Sequence, residues 1–301
     1  MTKQTGRAAL AVLCVLPFSA LAQDNSDGRP SGAFELETLL QDESTRSLLD
    51  GKVDWMYRSG SGGAVGLGFD LGADATFDLN EGGQDYVLYG ALAVDPGFGT
   101  FAIGAPRSIG DLLIERPAFA GNRLVTSEID LAMPPAATSL AKTQRAQHWG
   151  MRYDNASGAL RYGATAQKVD EVTGTFWQAA AEYTLGQAEL EGMVEASTHE
   201  GGANSLLGIN GMAGQVDYAV YVGDQRSNDP GTSLQAGLGY AVNDRLRVGG
   251  DLARVDQDSI LSDHWGLNAQ YGFGNGAHAQ LGVSDGEDEQ ATWDASLGFK
   301  F

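Results

Sequence analysis

The chain has 301 residues, with 39 acids against 19 bases, a formal net charge of −20 and a single cysteine. This balance excludes a nucleic-acid partner, because phosphate neutralisation needs basic patches. With Cys14 inside an N-terminal leader, the rest of the chain has no thiol for disulfides or Cys-based zinc sites.

Residues 1–22 read as a secretory signal peptide: Lys3 and Arg7 at the start, an apolar run from Ala8 to Phe18, and the small-residue site Ala20-Leu21-Ala22. The apolar run is shorter than the roughly 20 residues of a transmembrane helix. The 42 glycines against 8 prolines, with 9% aromatic residues, suit a barrel whose small side chains keep its interior open.

The first strand is placed at Ala33–Leu40, although the stretch to Leu49 also fits a short amphipathic helix. Next come Lys52–Ser59 and Ala64–Asp74, paired across Gly60 to Gly63. From about residue 84 the pattern has period 2 with short punctuation. Gln84–Asp95 and Phe98–Arg107 meet at Pro96-Gly97; Gln147–Asp154 and Ala159–Val169 at residues 155–158; Gly174–Leu185 and Ala188–Thr198 at Gly186-Gln187. Asn204–Ala213 and Gly214–Gln225 meet at Gly211 to Gly214, Thr232–Val242 and Arg245–Asp256 at Asn243-Asp244, and Asp263–Phe273 and Ala277–Gly286 at residues 274–276.

Gln290–Phe301 is the last strand, with Trp293, Ala295, Leu297, Phe299 and Phe301 on one face. Such an apolar, aromatic-ended strand suits the closing strand of a barrel and predicts Ala33–Leu40 as its partner. The count is about 16, an even number as in bacterial outer-membrane barrels. The tight turns all fall on one side, expected to be periplasmic. The longer connections (41–51, 75–83, 108–146, 170–173, 199–203, 226–231, 257–262 and 287–289) fall on the other. Trp149, Trp177, Trp265 and Trp293 near one set of strand ends, and Tyr153, Tyr183, Tyr240 and Tyr271 near the other, predict two aromatic girdles on a lipid-facing surface. The predicted fold is therefore all-β: an antiparallel transmembrane β-barrel in one domain, residues 23–301.

Alternation assigns lumen-facing positions. Before the long connection they are Lys52, Asp54 and Arg58; after it, His148, Arg152, Asp154, Arg161 and Gln167. Later strands add Glu182, Glu189, Glu191, Glu195, Asp217, Arg247, Asp251, Asn268, Gln270 and Asp294. Tyr89, Phe176 and Tyr221 also face inward. The excess of acids predicts modest cation selectivity.

The connection 108–146 is too long to be structureless without a function. Its runs Leu112-Leu113-Ile114 and Leu131–Pro135 are suited to dock on the inner wall, and Arg107, Arg116, Arg123, Lys142 and Arg145 can pair with its acids. With the strand Phe98-Gly99-Thr100-Phe101-Ala102-Ile103-Gly104 leading into it, the signal peptide and the terminal Phe301, the chain resembles the general-diffusion porins. These are the trimeric barrels, of about 16 strands, of Gram-negative outer membranes, the alphaproteobacterial type in particular.

The resemblance implies that the third external loop folds into the lumen and narrows it. It also implies a transverse field between loop carboxylates (Asp111, Glu115, Glu128, Asp130) and a wall of arginines (Arg58, Arg152, Arg161, with Arg247 less central), together with homotrimers. The expected partners are outer-membrane lipid, lipopolysaccharide, small hydrophilic solutes and ions. The expected role is passive diffusion, with a substrate-specific porin or a plugged structural or adhesive barrel as alternatives.

No catalytic residue and no cofactor are expected. His148, His199, His264 and His278 lie near no serine-containing elbow, and His148 and His264, each preceding a Trp, read as interface anchors. The acidic tract Asp285-Gly286-Glu287-Asp288-Glu289 has oxygens suited to Ca²⁺ but not the spacing of a calcium loop.

Overall fold

A computed structural model describes residues 27–41, 44–59, 65–80, 82–114, 136–170, 174–198, 202–226, 231–257, 260–285 and 291–301. The leader and the tract at 286–290 lie outside these residues. Sixteen antiparallel strands close into one barrel. The first five are β1 (Asp27–Gln41), β2 (Ser44–Ser59), β3 (Gly66–Asp78), β4 (Gln84–Asp95) and β5 (Thr100–Ala105). Among the described residues, two short helices, α1 (Ile109–Leu113) and α2 (Ala136–Thr143), lie in the connection to β6 (His148–Ser157). There follow β7 (Leu160–Val169), β8 (Phe176–Leu185), β9 (Ala188–Ser197), β10 (Ala203–Ala213) and β11 (Val216–Gln225). The barrel is completed by β12 (Gly231–Ala241), β13 (Leu246–Gln257), β14 (Ile260–Gly274), β15 (Ala277–Asp285) and β16 (Ala291–Lys300).

Period-2 chemistry builds the wall. On β4, Val87, Tyr89, Ala91 and Ala93 are buried on the inner face, while Leu88 and Leu92 are exposed on the outer one. An exposed leucine surface on every side is costly in water and favourable in lipid, so the barrel has the surface of a transmembrane one. Both girdles are present on that surface. Trp149, Trp177, Trp265 and Trp293 are exposed near the rim of the longer connections. Near the rim of tight turns, Tyr183, Tyr240 and Tyr271 are exposed, and Phe98, Phe101 and Phe273 join them.

The closing seam has the expected partners: β1 and β16 run in register from Ala33↔Lys300 to Leu40↔Trp293. Short turns such as Gly186-Gln187, where Gly186 takes the left-handed φ of +67°, link strands with no spare residue.

Several expected bounds are corrected, among them the connection expected at 75–83, which begins only after β3 ends at Asp78. The connection expected at 41–51 is mostly strand: β2 begins at Ser44, and Leu40 pairs with Thr45. The adjacent Leu48-Leu49 breaks the alternation, because Leu48 is buried on the inner face, and this masked the strand. Likewise, β14 begins at Ile260 rather than 263, so the connection expected at 257–262 is much shorter. Elsewhere β5 spans only Thr100–Ala105, since the chain leaves the sheet at Pro106. The 155–158 turn moves to Gly158-Ala159, and the Gly211–Gly214 turn to Gly214-Gln215.

Candidate functional site

The site grows from a strip of small residues on the inner face of β2–β6. Arg58 pairs across the sheet with Gly68, Gly68 with Ala93, Ala93 with Ala102, and Ala102 with Arg152. Two arginines thus stand at the ends of one row, four strand spacings or roughly 19 Å apart. Nothing larger than a methyl group lies between them.

Over this strip both arginines reach one carboxylate. Arg58 Nη1 lies 2.5 Å from Asp70 Oδ1, and Arg152 Nη2 donates to Asp70 Oδ2 at 2.6 Å. Arg152 Nε also donates to Asp154 Oδ1 at 2.8 Å, and its Nη1 to the Arg107 carbonyl at 3.2 Å. Arg152 is 1% exposed. A guanidinium so enclosed is tolerated only when its donors are met, which these carboxylates and the carbonyl do.

The chain after β5 turns onto this wall. Gln167 Nε2 donates to the Pro106 carbonyl at 2.6 Å, and His148 Nε2 lies 3.1 Å from the same oxygen. Arg107 reaches across to Asp54 on β2 at 2.5 Å, with its guanidinium 4.2 Å above the Tyr89 ring. Ser108 caps α1: its hydroxyl accepts from the Asp111 amide at 3.1 Å and donates to the Asp111 carboxylate at 2.7 Å. The Ile109 amide donates to Thr165 Oγ1 at 2.8 Å.

Two apolar pads inside the barrel hold the described ends of this connection. Ile109 and Leu113 of α1 are buried with Ala180, Met193, Leu206, Ala219 and Tyr221, and Leu112 and Ile114 pack against them. Ala141 of α2 is buried with Val87, Tyr89, Val169 and Phe176, with Leu140 alongside. Lys142 Nζ donates to Asp74 on β3 at 2.8 Å. A recess of about 230 Å³ lies beside α1, lined in part by Lys52, Asp54, Asp70, Tyr89, Arg107 and Arg152.

Of the residues expected at a constriction, Arg58 and Arg152 come together through Asp70, and Asp111 lines the same recess. Arg161 does not join them. It sits at the start of β7, half exposed, and pairs with Glu182 on β8 at 3.0 Å. Arg247 pairs with Asp217 on another part of the wall. Glu115, Glu128 and Asp130, with Arg116, Arg123 and Leu131–Pro135, lie outside the described residues.

Among the described residues, Arg107 and Lys142 meet acids of the barrel wall, Asp54 and Asp74. His148 is no interface anchor: it is buried inward against Pro106. Tyr89, Phe176 and Tyr221 do face inward, but they are covered by the α1 and α2 pads, not arrayed along an open path. The Tyr221 hydroxyl donates to Glu191 at 2.9 Å, and Asn210 Nδ2 donates to the other Glu191 oxygen at 2.9 Å. Asp285 accepts from the Trp265 amide at 2.9 Å. Ser296 donates to Glu35 at 2.6 Å, and His278 Nε2 lies 3.7 Å from the same Glu35 oxygen.

Sequence reading missed Asp70 and Asp74. Alternation places both inward, but their partners are set by register across several strands.

No protein-family profile matches the chain, and no curated protein matches it. Solved structures do. A five-substitution variant of the Rhodopseudomonas blastica porin matches with a TM-score of 0.66 at 12% identity, over 91% of this chain and 99% of that one. A triple mutant of the same porin gives the same TM-score of 0.66, identity of 12% and coverage of 91% and 99%. A third, described as "asymmetric conductivity of engineered proteins", matches with a TM-score of 0.66 at 13% identity, over 91% and 99% of the two chains. At such identities the likeness is one of fold.

Proposed function

We propose that this chain, which has the 16-stranded porin fold, is an outer-membrane porin. It forms a weakly cation-selective passage for passive diffusion of small hydrophilic solutes and ions, and it works as a homotrimer in lipid and lipopolysaccharide. The carrying observation is the division of the wall: exposed Leu, Val and aromatic residues on the outer face, and on the inner face Asp50, Asp70, Arg152, Glu182, Glu191 and Glu195. A charged inner face favours hydrated solutes, and its charges grade them by sign. Selectivity then comes from the width and charge beside α1, where Asp111, Asp70, Arg107 and Arg152 line one recess.

Planar-bilayer recording in a potassium chloride gradient tests this. Stable conductance steps with a cation-selective reversal potential are expected. Their absence overturns the channel reading, and an anion-selective potential overturns the charge argument alone.

One observation favours a second reading, a barrel whose lumen is plugged: both described ends of the long connection rest on apolar pads inside the barrel. Deleting residues 112–133 separates the two. A conductance that rises from an already conducting state marks a constriction; one that appears only after deletion marks a plug.

A further inference from the structure

We propose that Asp70 is the positioning residue that holds the start of the long connection against the barrel wall, and so sets the stability of the open channel. The inference rests on the channel reading above. Three observations converge on it. Asp70 is buried; Arg152 from β6 donates to one of its carboxylate oxygens, and Arg58 from β2, whose Nη1 also donates to the Tyr57 and Phe69 carbonyls, lies in ion-pair contact with the other. Arg152 in turn donates to the Arg107 carbonyl, at the point where the chain leaves the sheet. The Arg107 side chain then crosses to Asp54, closing a loop of contacts from β3 through β6 and the connection back to β2.

The small residues Gly68, Ala93 and Ala102 make this reach possible, and they leave the arginines no competing partner on β4 and β5 along that row. The ion pairs also fix direction. Arg152 Nε is held by Asp154 and Nη2 by Asp70, and with the planar fork held at both points Nη1 is aimed at the Arg107 carbonyl. Removing the Asp70 charge leaves the enclosed Arg152 guanidinium short of one carboxylate, whereas the partly exposed Arg58 keeps the Tyr57 and Phe69 carbonyls. The cheapest relief is for the freed Arg152 Nη groups to turn toward water about the Nε–Asp154 contact, which releases the carbonyl. A lysine at 152 keeps the charge but cannot bridge Asp70, Asp154 and a carbonyl from one rigid plane.

The test uses the full-length barrel in planar bilayers with potassium chloride, comparing wild type, Asp70→Asn, Asp70→Glu and Arg152→Lys. Each variant is first checked for the heat-dependent gel shift of a folded barrel. The readout is the fraction of time spent in closed or partly closed levels at fixed voltage. Asp70→Asn and Arg152→Lys are both expected to raise it about tenfold, which corresponds to about 1.4 kcal/mol, and Asp70→Glu to return it most of the way. A rise in Asp70→Asn but not in Arg152→Lys means the carboxylate acts through charge alone and overturns the inference. Wild-type occupancy in both variants overturns it too. If Asp70→Asn fails to fold, Arg152→Lys decides alone. A wild-type protein that yields no steps removes the channel reading, and this inference with it.

Discussion

Gly32 and Phe301 exchange two backbone hydrogen bonds of 2.9 Å each, from the Gly32 amide to the Phe301 carbonyl and from the Phe301 amide to the Gly32 carbonyl. They extend the seam one step beyond the β1–β16 ladder and bring the Phe301 ring within 5.9 Å of Phe34. A Cβ on Gly32 would stand 2.5 Å from the Lys52 carbonyl and 2.7 Å from the Phe301 ring. Gly32→Val is therefore expected to unseat the last strand and sharply reduce the heat-shifted folded fraction on gels. Phe301→Ala, which loses ring stacking worth about 0.5–1.5 kcal/mol, is expected to reduce it less.

The docking of α1 makes a paired prediction. A Cβ on Gly110 would overlap the Met193 sulfur, the flexible end of a long side chain. Gly110→Val should therefore lift α1 from its pad at a cost of about 1–3 kcal/mol. Adding Met193→Ala should return much of that loss. Limited proteolysis of the 108–146 connection reads both: faster cleavage in the single variant, slower again in the double one.

The two candidate arginines on β6 and β7 should behave differently. Arg161 is half exposed to water where it meets the buried Glu182, and water there can take its place, so the pair contributes about 0–1 kcal/mol. Arg152 is enclosed between Asp70 and Asp154. In urea unfolding from detergent or lipid, Arg161→Gln is expected to shift stability by less than about 1 kcal/mol. Arg152→Gln, which leaves Asp70 and Asp154 short of a partner, is expected to cost about 3–5 kcal/mol. Equal effects would mean that enclosure does not separate the two sites.

Leu88 lies mid-strand on the outer face of β4 and is 64% exposed. If that face meets lipid, Leu88→Arg should cost about 2–4 kcal/mol in a folding equilibrium measured in bilayers. No measurable cost there would contradict a lipid-facing surface at this position.

Much of the wall was legible because its physics is local. A strand such as Gln84–Asp95 carries its two faces in its own alternation, and Gly186-Gln187 carries its turn. The strand start at Ser44 was not legible, because Leu48-Leu49 puts an apolar residue on each face and the polar stretch before it resembles a loop. The site was legible by half. Alternation turned Arg58 and Arg152 inward, but their meeting at Asp70 depends on the register of four strand pairs and on three small residues between them. Met193 and Leu206 are the other blind spot: apolar residues on a polar face look like noise until α1 is seen lying on them.

The seam joins parts of the chain that are far apart in sequence; Ser296 donates to Glu35 across 261 residues. Every other strand pairing is between sequence neighbours and can form as soon as the next hairpin is complete. Closure is thus the slow, non-local event of folding, since loop entropy must be overcome before its contacts are gained. Until β16 arrives, β1 presents an unpaired edge, a hazard for pairing with other chains. An assembly partner that shields this edge would act on the single step that the chain cannot hasten by local structure.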